Sequence, residues 1–213
     1  MHPALDELAR RLEAAPPDPP LIPDGEADSP PGEEAAKPRK AAVAMILRTA
    51  DTTGPLRPEV LLMRRAEHPL DRWSGQISLP GGHQDPGDTD LLATAVRESR
   101  EEVAVDLADS ARLVGSLPRV QARARGKMIP MGITPFVFEV TGAIEPSPGI
   151  EAQEVFWFPL ARAQAGELDA EHRYRRDDGL IRKLPSWSFE ERVVWGLTHM
   201  MLSDLLGYLE LPR

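Results

Sequence analysis

The sequence predicts an α/β (α+β) protein in which a mixed β-sheet lies between helices. Three observations carry this: strand-length apolar stretches recur between residues 41 and 160, helical amphipathic periodicity appears in two places downstream of residue 88, and the two kinds of segment alternate irregularly.

The elements follow in order. Residues 3–14 place Leu5, Leu8, Ala9 and Leu12 at helical spacing with Asp6, Glu7, Arg10 and Arg11 between them, which predicts a short amphipathic N-terminal helix over 1–14. Residues 15–40 mix prolines with Asp, Glu and Gly, a composition that builds no core and reads as an acidic, Pro-rich linker. The main domain is expected over 41–213. AAVAMILR and EVLLMRR read as buried strands joined by a loop through Asp51, Gly54, Pro55 and Pro58. QISLP, ending at Gly81-Gly82, reads as a third. Asp88 or Thr89 then caps a helix running to about Val103, with Leu91, Leu92, Ala95, Val96 and Ser99 on its inner side and Glu98, Glu101 and Glu102 on the other. RLVGSLP, MGITPFVFEV and EVFWFPL read as further strands, with a basic turn QARARGK after the first of them. SFEERVVWGLTHMMLSDLLGYL reads as a buried C-terminal helix with Val193, Val194, Leu197, Met200, Met201, Leu205 and Leu206 on its apolar face.

Composition narrows the chemistry. With no cysteine, thiolate nucleophiles, disulfides and Cys-ligated zinc are excluded, leaving carboxylates, His and Ser. A formal net charge of -9 argues against nucleic acid as the partner. No long apolar run and no secretory leader pattern is present, so the expectation is a cytoplasmic protein without membrane association. The histidines show no metal-ligand spacing, and Ser74 and Ser78 lack an adjacent acid or base.

The chemistry concentrates in GGHQDPGDTDLLATAVRESREEVAV, which joins a glycine turn to three carboxylates on one helical face. Like charges at that spacing repel, and hard carboxylate oxygens suit Mg²⁺ or Mn²⁺. Bound cations would draw in an anionic diphosphate. Arg97 and Glu101, at i and i+4, can pair. An isolated Arg-Glu-x-x-Glu-Glu is ordinarily a solvated helix face; the preceding strand, the Gly81-Gly82 turn and the apolar inner side turn the reading toward catalysis. Asp88 reads as the helix cap in preference to a metal ligand.

This segment resembles the Nudix box: glycine, five residues, glutamate, seven residues, Arg-Glu, apolar, any, Glu-Glu, any, glycine, apolar. Gly82, Arg97, Glu98, Glu101, Glu102 and Val105 fit; Asp88 stands for the first glutamate, Ser99 and Ala104 depart, and the loop before Arg97 is one residue longer. The resemblance implies a Nudix-type α/β/α sandwich. It also implies metal ligation by Glu98, Glu101, Glu102 and the Gly81 carbonyl, with a catalytic role for Arg97, Glu101 and Glu102. A further acidic residue from a distant loop is implied, with Glu154 the first choice and Glu151 the second.

LLMRRAEHPLDRWSGQISLPGG is similar to the region ahead of the box in coenzyme A diphosphatases, and the similarity continues through GSLPRVQARARGKMIPMGITPFVF and VVWGLT. Ala66, Trp73 and Leu79 stand where that family has serine, histidine and phenylalanine. The implied reaction converts coenzyme A or an acyl-CoA to adenosine 3',5'-bisphosphate and a 4'-phosphopantetheine. Arg65, Gln76 and Gly82 are the implied substrate contacts, and Arg119, Arg123, Arg125 and Lys127 are candidates for a 3'-phosphate or a merely solvated loop. Trp73 is expected either to stack a base or to join the core. The expected partner is a small nucleotide, and a homodimer is compatible with the sequence. Two alternatives remain: a Nudix hydrolase of ADP-ribose, NADH or a nucleoside-diphosphate sugar, and a non-catalytic ligand-binding or regulatory module.

Overall fold

A computed structural model describes residues 2–21, 38–49, 56–68, 73–124, 127–175, 179–209 and 211, without the side chains of Ala124 and Lys127. Most of the linker (22–37), the loop through Asp51, Gly54 and Pro55, and Arg125 lie outside these residues.

Helix α1 (Pro3–Glu13) opens at proline, with the His2 ring accepting the Ala4 N–H at its start. Leu5, Leu8 and Leu12 are buried in the larger core cluster. Strand β1 (Arg39–Thr49) is the spine of the molecule: it pairs antiparallel with β2 (Pro58–Arg65) and parallel with β7 (Lys127–Val140). Beyond β7 lie β5 (Ala111–Ser116) and β6 (Val120–Ala124), and β8 (Ala152–Pro159) pairs with β2. Parallel and antiparallel pairs share one sheet, as the irregular alternation predicts.

The sheet has two apolar faces because side chains alternate along a strand. On β1, Ala41, Val43, Met45 and Leu47 join α1, the short α4 (Leu160–Gln164) and α5 (Gly196–Tyr208), while Ala42, Ala44 and Ile46 face α2 (Leu91–Val103) and α3 (Leu107–Ser110). The result is helices on both sides of a mixed sheet.

One detail positions the site. β1 and β2 part after the Leu47–Val60 pair, and the chain from residue 76 to 84 runs inside the opening. Its first half, β3 (Ile77–Ser78), pairs with Met63 and Arg64 of β2; its second, β4 (Gly81–His83), pairs with Ala41, Ala42 and Val43 of β1. The glycine turn is thereby clamped by both strands.

Helix α2 ends at Ala104, which adopts the left-handed conformation at φ 56°. Glycine takes that conformation without strain, so Ala104→Gly is expected to raise stability by up to about 1 kcal/mol, read as a higher midpoint in denaturant titration. Ser99, at an apolar position of the resemblance, is fully buried, and its hydroxyl donates to the Ala95 carbonyl at 2.7 Å.

The C-terminal expectation needs correction. Residues 188–195 are not helical: β9 (Asp169–Arg175), β10 (Ile181–Phe189) and β11 (Arg192–Trp195) form a separate antiparallel sheet, and α5 starts only at Gly196. Val194 is buried from β11, whereas Val193 is exposed. The hairpin turn Glu190-Glu191 holds both residues at positive φ, a geometry that Asn-Gly would advertise and two glutamates conceal.

Candidate active site

The site grows from Gly81-Gly82, where both missing side chains are a matter of space. A β-carbon on Gly81 would overlap the Ala42 carbonyl oxygen and Val43 Cα; one on Gly82 would fall onto the Glu98 carboxylate. The bonds Ala44 N–H to Pro80 O (2.8 Å) and Gln84 N–H to Lys40 O (3.0 Å) direct residues 80, 82 and 84 toward β1. Gly81 therefore points its N–H and C=O away from β1, and its N–H donates to Glu102 Oε2 at 2.8 Å.

Glu102 is almost fully buried, and its other oxygen lies 3.8 Å from Arg65 Nη1. Burial pushes its carboxyl up to about 8; the Gly81 N–H opposes the rise and the charge of Glu98 adds to it. Glu98 is also raised, chiefly by burial, against the lowering pull of Arg97. Two carboxyls are thus packed against one glycine turn.

Arg97 organises the rest. Its Nε and Nη2 donate to the two Asp88 oxygens at 3.0 and 2.9 Å, and Nη2 also reaches the His83 carbonyl at 3.1 Å. Nη1 holds Glu98 Oε1 at 3.0 Å and Glu101 Oε2 at 3.1 Å. Asp88 is further fixed by the Asp85 N–H and the Thr94 hydroxyl, and the arginine holds its carboxyl well below the usual range. The expected capping role of Asp88 is therefore corrected. Asp90 caps α2, accepting the Ala93 N–H at 2.8 Å, and Asp88 serves to orient Arg97.

Among the described residues, no three His, Asp or Glu side chains converge as a ready-made metal cage. Glu101 is turned toward Arg97 and is mostly exposed. The donor chemistry nonetheless fits a hard divalent cation: the buried Glu102 and partly buried Glu98 carboxyls, whose charged forms desolvation disfavours, Glu101 on the same helix, and the Gly81 carbonyl beside them.

The distant acid is expected first at Glu154. Glu154 pairs with Arg64 at 2.8 Å and with Arg192 at 3.2 and 3.1 Å, so both its oxygens are committed. Its register partner on β2 is Arg64, whereas Arg65, on the other face, is the residue beside Glu102. Glu151 is the acid whose charge reaches Glu98 and Glu102. Gly149 brings it there: its N–H donates to the Glu102 carbonyl at 2.8 Å, and a β-carbon would overlap the Glu101 carbonyl. The turn SPGIE carried that signal in its glycine.

The Arg192 guanidinium, then Arg64, holds the Glu154 carboxyl below its ordinary value. A lowered acid stabilises the fold above its unfolded pKa and loses that contribution as pH falls through the folded one. Glu154→Gln is therefore expected to cost up to about 1 kcal/mol at neutral pH and little in acid, measured by urea titration at both.

Of the remaining candidates, Gln76 is tied to Arg65 through its carbonyl, which accepts the Arg65 N–H at 3.0 Å. Trp73 is half-buried against the larger core. Arg119 is engaged by the N-terminal segment: its backbone N–H donates to Asp18 Oδ1 at 2.8 Å and its Nη2 to the Pro19 carbonyl at 2.6 Å. Arg123 is exposed.

The chain is similar to known proteins. The family model for the NUDIX domain matches residues 38–178. The uncharacterized Nudix hydrolase NudL of Salmonella paratyphi B is 36% identical over 154 residues, covering 70% of this chain and 73% of that protein, and its namesake in Salmonella newport gives the same values. Among solved structures, a binary complex of the C. elegans Ap4A hydrolase is 22% identical, covers 60% of this chain and 84% of its own, and has a TM-score of 0.48. The Nudix hydrolase RenU of M. smegmatis is 22% identical, covers 67% and 83%, and has a TM-score of 0.47.

Proposed function

This chain belongs to the Nudix hydrolase family, and from that premise we propose that it hydrolyses the diphosphate linkage of coenzyme A or an acyl-CoA, releasing adenosine 3',5'-bisphosphate and a 4'-phosphopantetheine. The observation that carries diphosphate chemistry is the pair of carboxyls, buried Glu102 and partly buried Glu98, held against Gly81-Gly82 beside Arg65.

In this reading Glu98, Glu101, Glu102 and the Gly81 carbonyl would hold Mg²⁺ or Mn²⁺, and a divalent cation bound there would supply charge neutralisation for the diphosphate oxygens and a lowered pKa for an attacking water. Arg97, locked by Asp88, keeps Glu98 and Glu101 in place. Water adds to one phosphorus, the anhydride P–O bond breaks toward the other phosphate, and the proton passes to a carboxylate of the cluster. In the same reading Arg65, whose guanidinium lies 3.8 Å from Glu102, contacts the substrate.

Support for coenzyme A comes from the similarity through residues 61–82 and onward. One observation favours the second reading, another nucleoside diphosphate derivative: Arg119, a candidate for the 3'-phosphate, is bonded to Asp18 and Pro19. No helix among the described residues is long and apolar enough to cross a membrane.

The test is product analysis by chromatography after incubating the full chain and Mg²⁺ or Mn²⁺ with coenzyme A, ADP-ribose, NADH or UDP-glucose in turn. Adenosine 3',5'-bisphosphate from coenzyme A is the expected result. Cleavage of another compound alone would discard coenzyme A and keep the chemistry, and silence with all four would overturn the substrate class.

A further inference from the structure

The outer edge of β9 is a long, exposed strand edge: in the three-stranded sheet β9 pairs only with β10 among the described residues. Such an edge offers unpaired N–H and C=O groups to any strand that fits it. The bond from Ser188 N–H to the Leu168 carbonyl fixes the phase, so that Ala170, His172 and Tyr174 turn their backbone groups to β10. Glu171, Arg173 and Arg175 therefore direct theirs outward, as does the Asp169 carbonyl; the Asp169 N–H already closes on the Gly166 carbonyl.

The side chains on this edge form a pattern that reads against itself. The strand is Asp169-Ala-Glu171-His172-Arg173-Tyr-Arg175. Laid antiparallel on a second copy about a two-fold axis at His172, it sets Asp169 opposite Arg175 and Glu171 opposite Arg173, in both halves. That register also matches the outward backbone groups, because Glu171 and Arg173 become a hydrogen-bonded pair. Sliding by two residues in either direction places Arg173 opposite Arg173 or Glu171 opposite Glu171, and parallel pairing brings like charges alongside. The pattern selects one register and rejects its neighbours.

Asp169, Glu171, Arg173 and Arg175 are exposed. Within the chain Glu171 pairs with Lys183 at 3.0 Å on the neighbouring strand, and Arg173 and Arg175 have no ion-pair partner among the described residues. On the face shared by His172 and Tyr174, Trp195 stacks on His172 at a centroid distance of 4.2 Å and tilts against Tyr174 at 5.4 Å. Antiparallel pairing would continue this half-buried aromatic face across the axis, with Tyr174 over Ala170 of the other copy.

We propose that the chain forms a two-fold homodimer by antiparallel pairing of β9 with β9 of a second copy, joining two three-stranded sheets into one. The experiment is sedimentation velocity on the full chain over a concentration series. A dimer is expected, weakened about tenfold or more by either Glu171→Arg or Arg173→Glu, each of which sets like charges opposite on both sides of the axis. The double variant carrying both substitutions restores opposite charges and is expected to recover the dimer. Lys183→Gln, which removes only the intrachain partner of Glu171, should leave it intact. A monomer at every concentration, or a dimer indifferent to both single reversals, would overturn the proposal. Failure of the double variant to recover, with unchanged circular dichroism, would overturn it too.

Discussion

Glu102→Gln is expected to lower turnover by about two orders of magnitude or more while the domain stays folded. The amide keeps the shape of the side chain, and its carbonyl can still accept the Gly81 N–H that Oε2 accepts at 2.8 Å. What it lacks is the negative charge, which the buried setting otherwise penalises and which a divalent cation would need. Loss of activity with an unchanged melting temperature is thus the signature of a ligand, whereas a structural carboxyl would lower both. Isothermal titration with Mn²⁺ gives an independent readout, with weakened binding expected. Near-normal turnover in Glu102→Gln would remove Glu102 from the site.

Gly82→Ala is expected to abolish most activity by a different route. Its β-carbon would occupy the space of the Glu98 carboxylate, and a flexible side chain can retreat at small cost to the fold. Retreat breaks the bond from Arg97 Nη1 and moves an oxygen donor; a misplacement on the order of 1 Å costs about a hundredfold. Gly81→Ala makes the contrast. There the obstruction is the backbone of Ala42 and Val43, which cannot retreat without disturbing β1, so lower stability is expected with lost activity. Thermal melts of the two variants beside their turnover separate the cases. Equal destabilisation would show that the Gly82 contact is not with Glu98 alone.

The helical half of the candidate site is legible in the sequence because its geometry is local. Glu98, Glu101 and Glu102 share a face by helical period alone, and Arg97 reaches Glu101 at i+4. Residues joined across the sheet were less so. Asp88 was read as a cap because capping is the local habit of aspartate, yet nine residues on Arg97 captures it from α2 and leaves the cap to Asp90. The sequence ranks Glu154 ahead of Glu151, but the choice turns on which strand face Arg64 and Arg65 occupy after β2 and β8 pair, and no local pattern reports that. The C-terminal hairpin was hidden by Glu190-Glu191, whose left-handed backbone has no residue preference behind it. The docking of α1 rests on contacts more than a hundred residues away, such as the His2 N–H to Glu139.

The strand from residue 76 to 84, held in the opening between β1 and β2, has a consequence for how the enzyme fails. Gly81 and Gly82 cannot be released by fraying at an edge, because their neighbours bond to two central strands at once. Local opening of the glycine turn should therefore demand the free energy of disrupting the whole sheet. Amide hydrogens on this stretch should exchange as slowly as those of β1, and heat should extinguish catalysis in the same transition that melts the protein. An enzyme whose reactive turn lay on a peripheral loop would go silent first and unfold later.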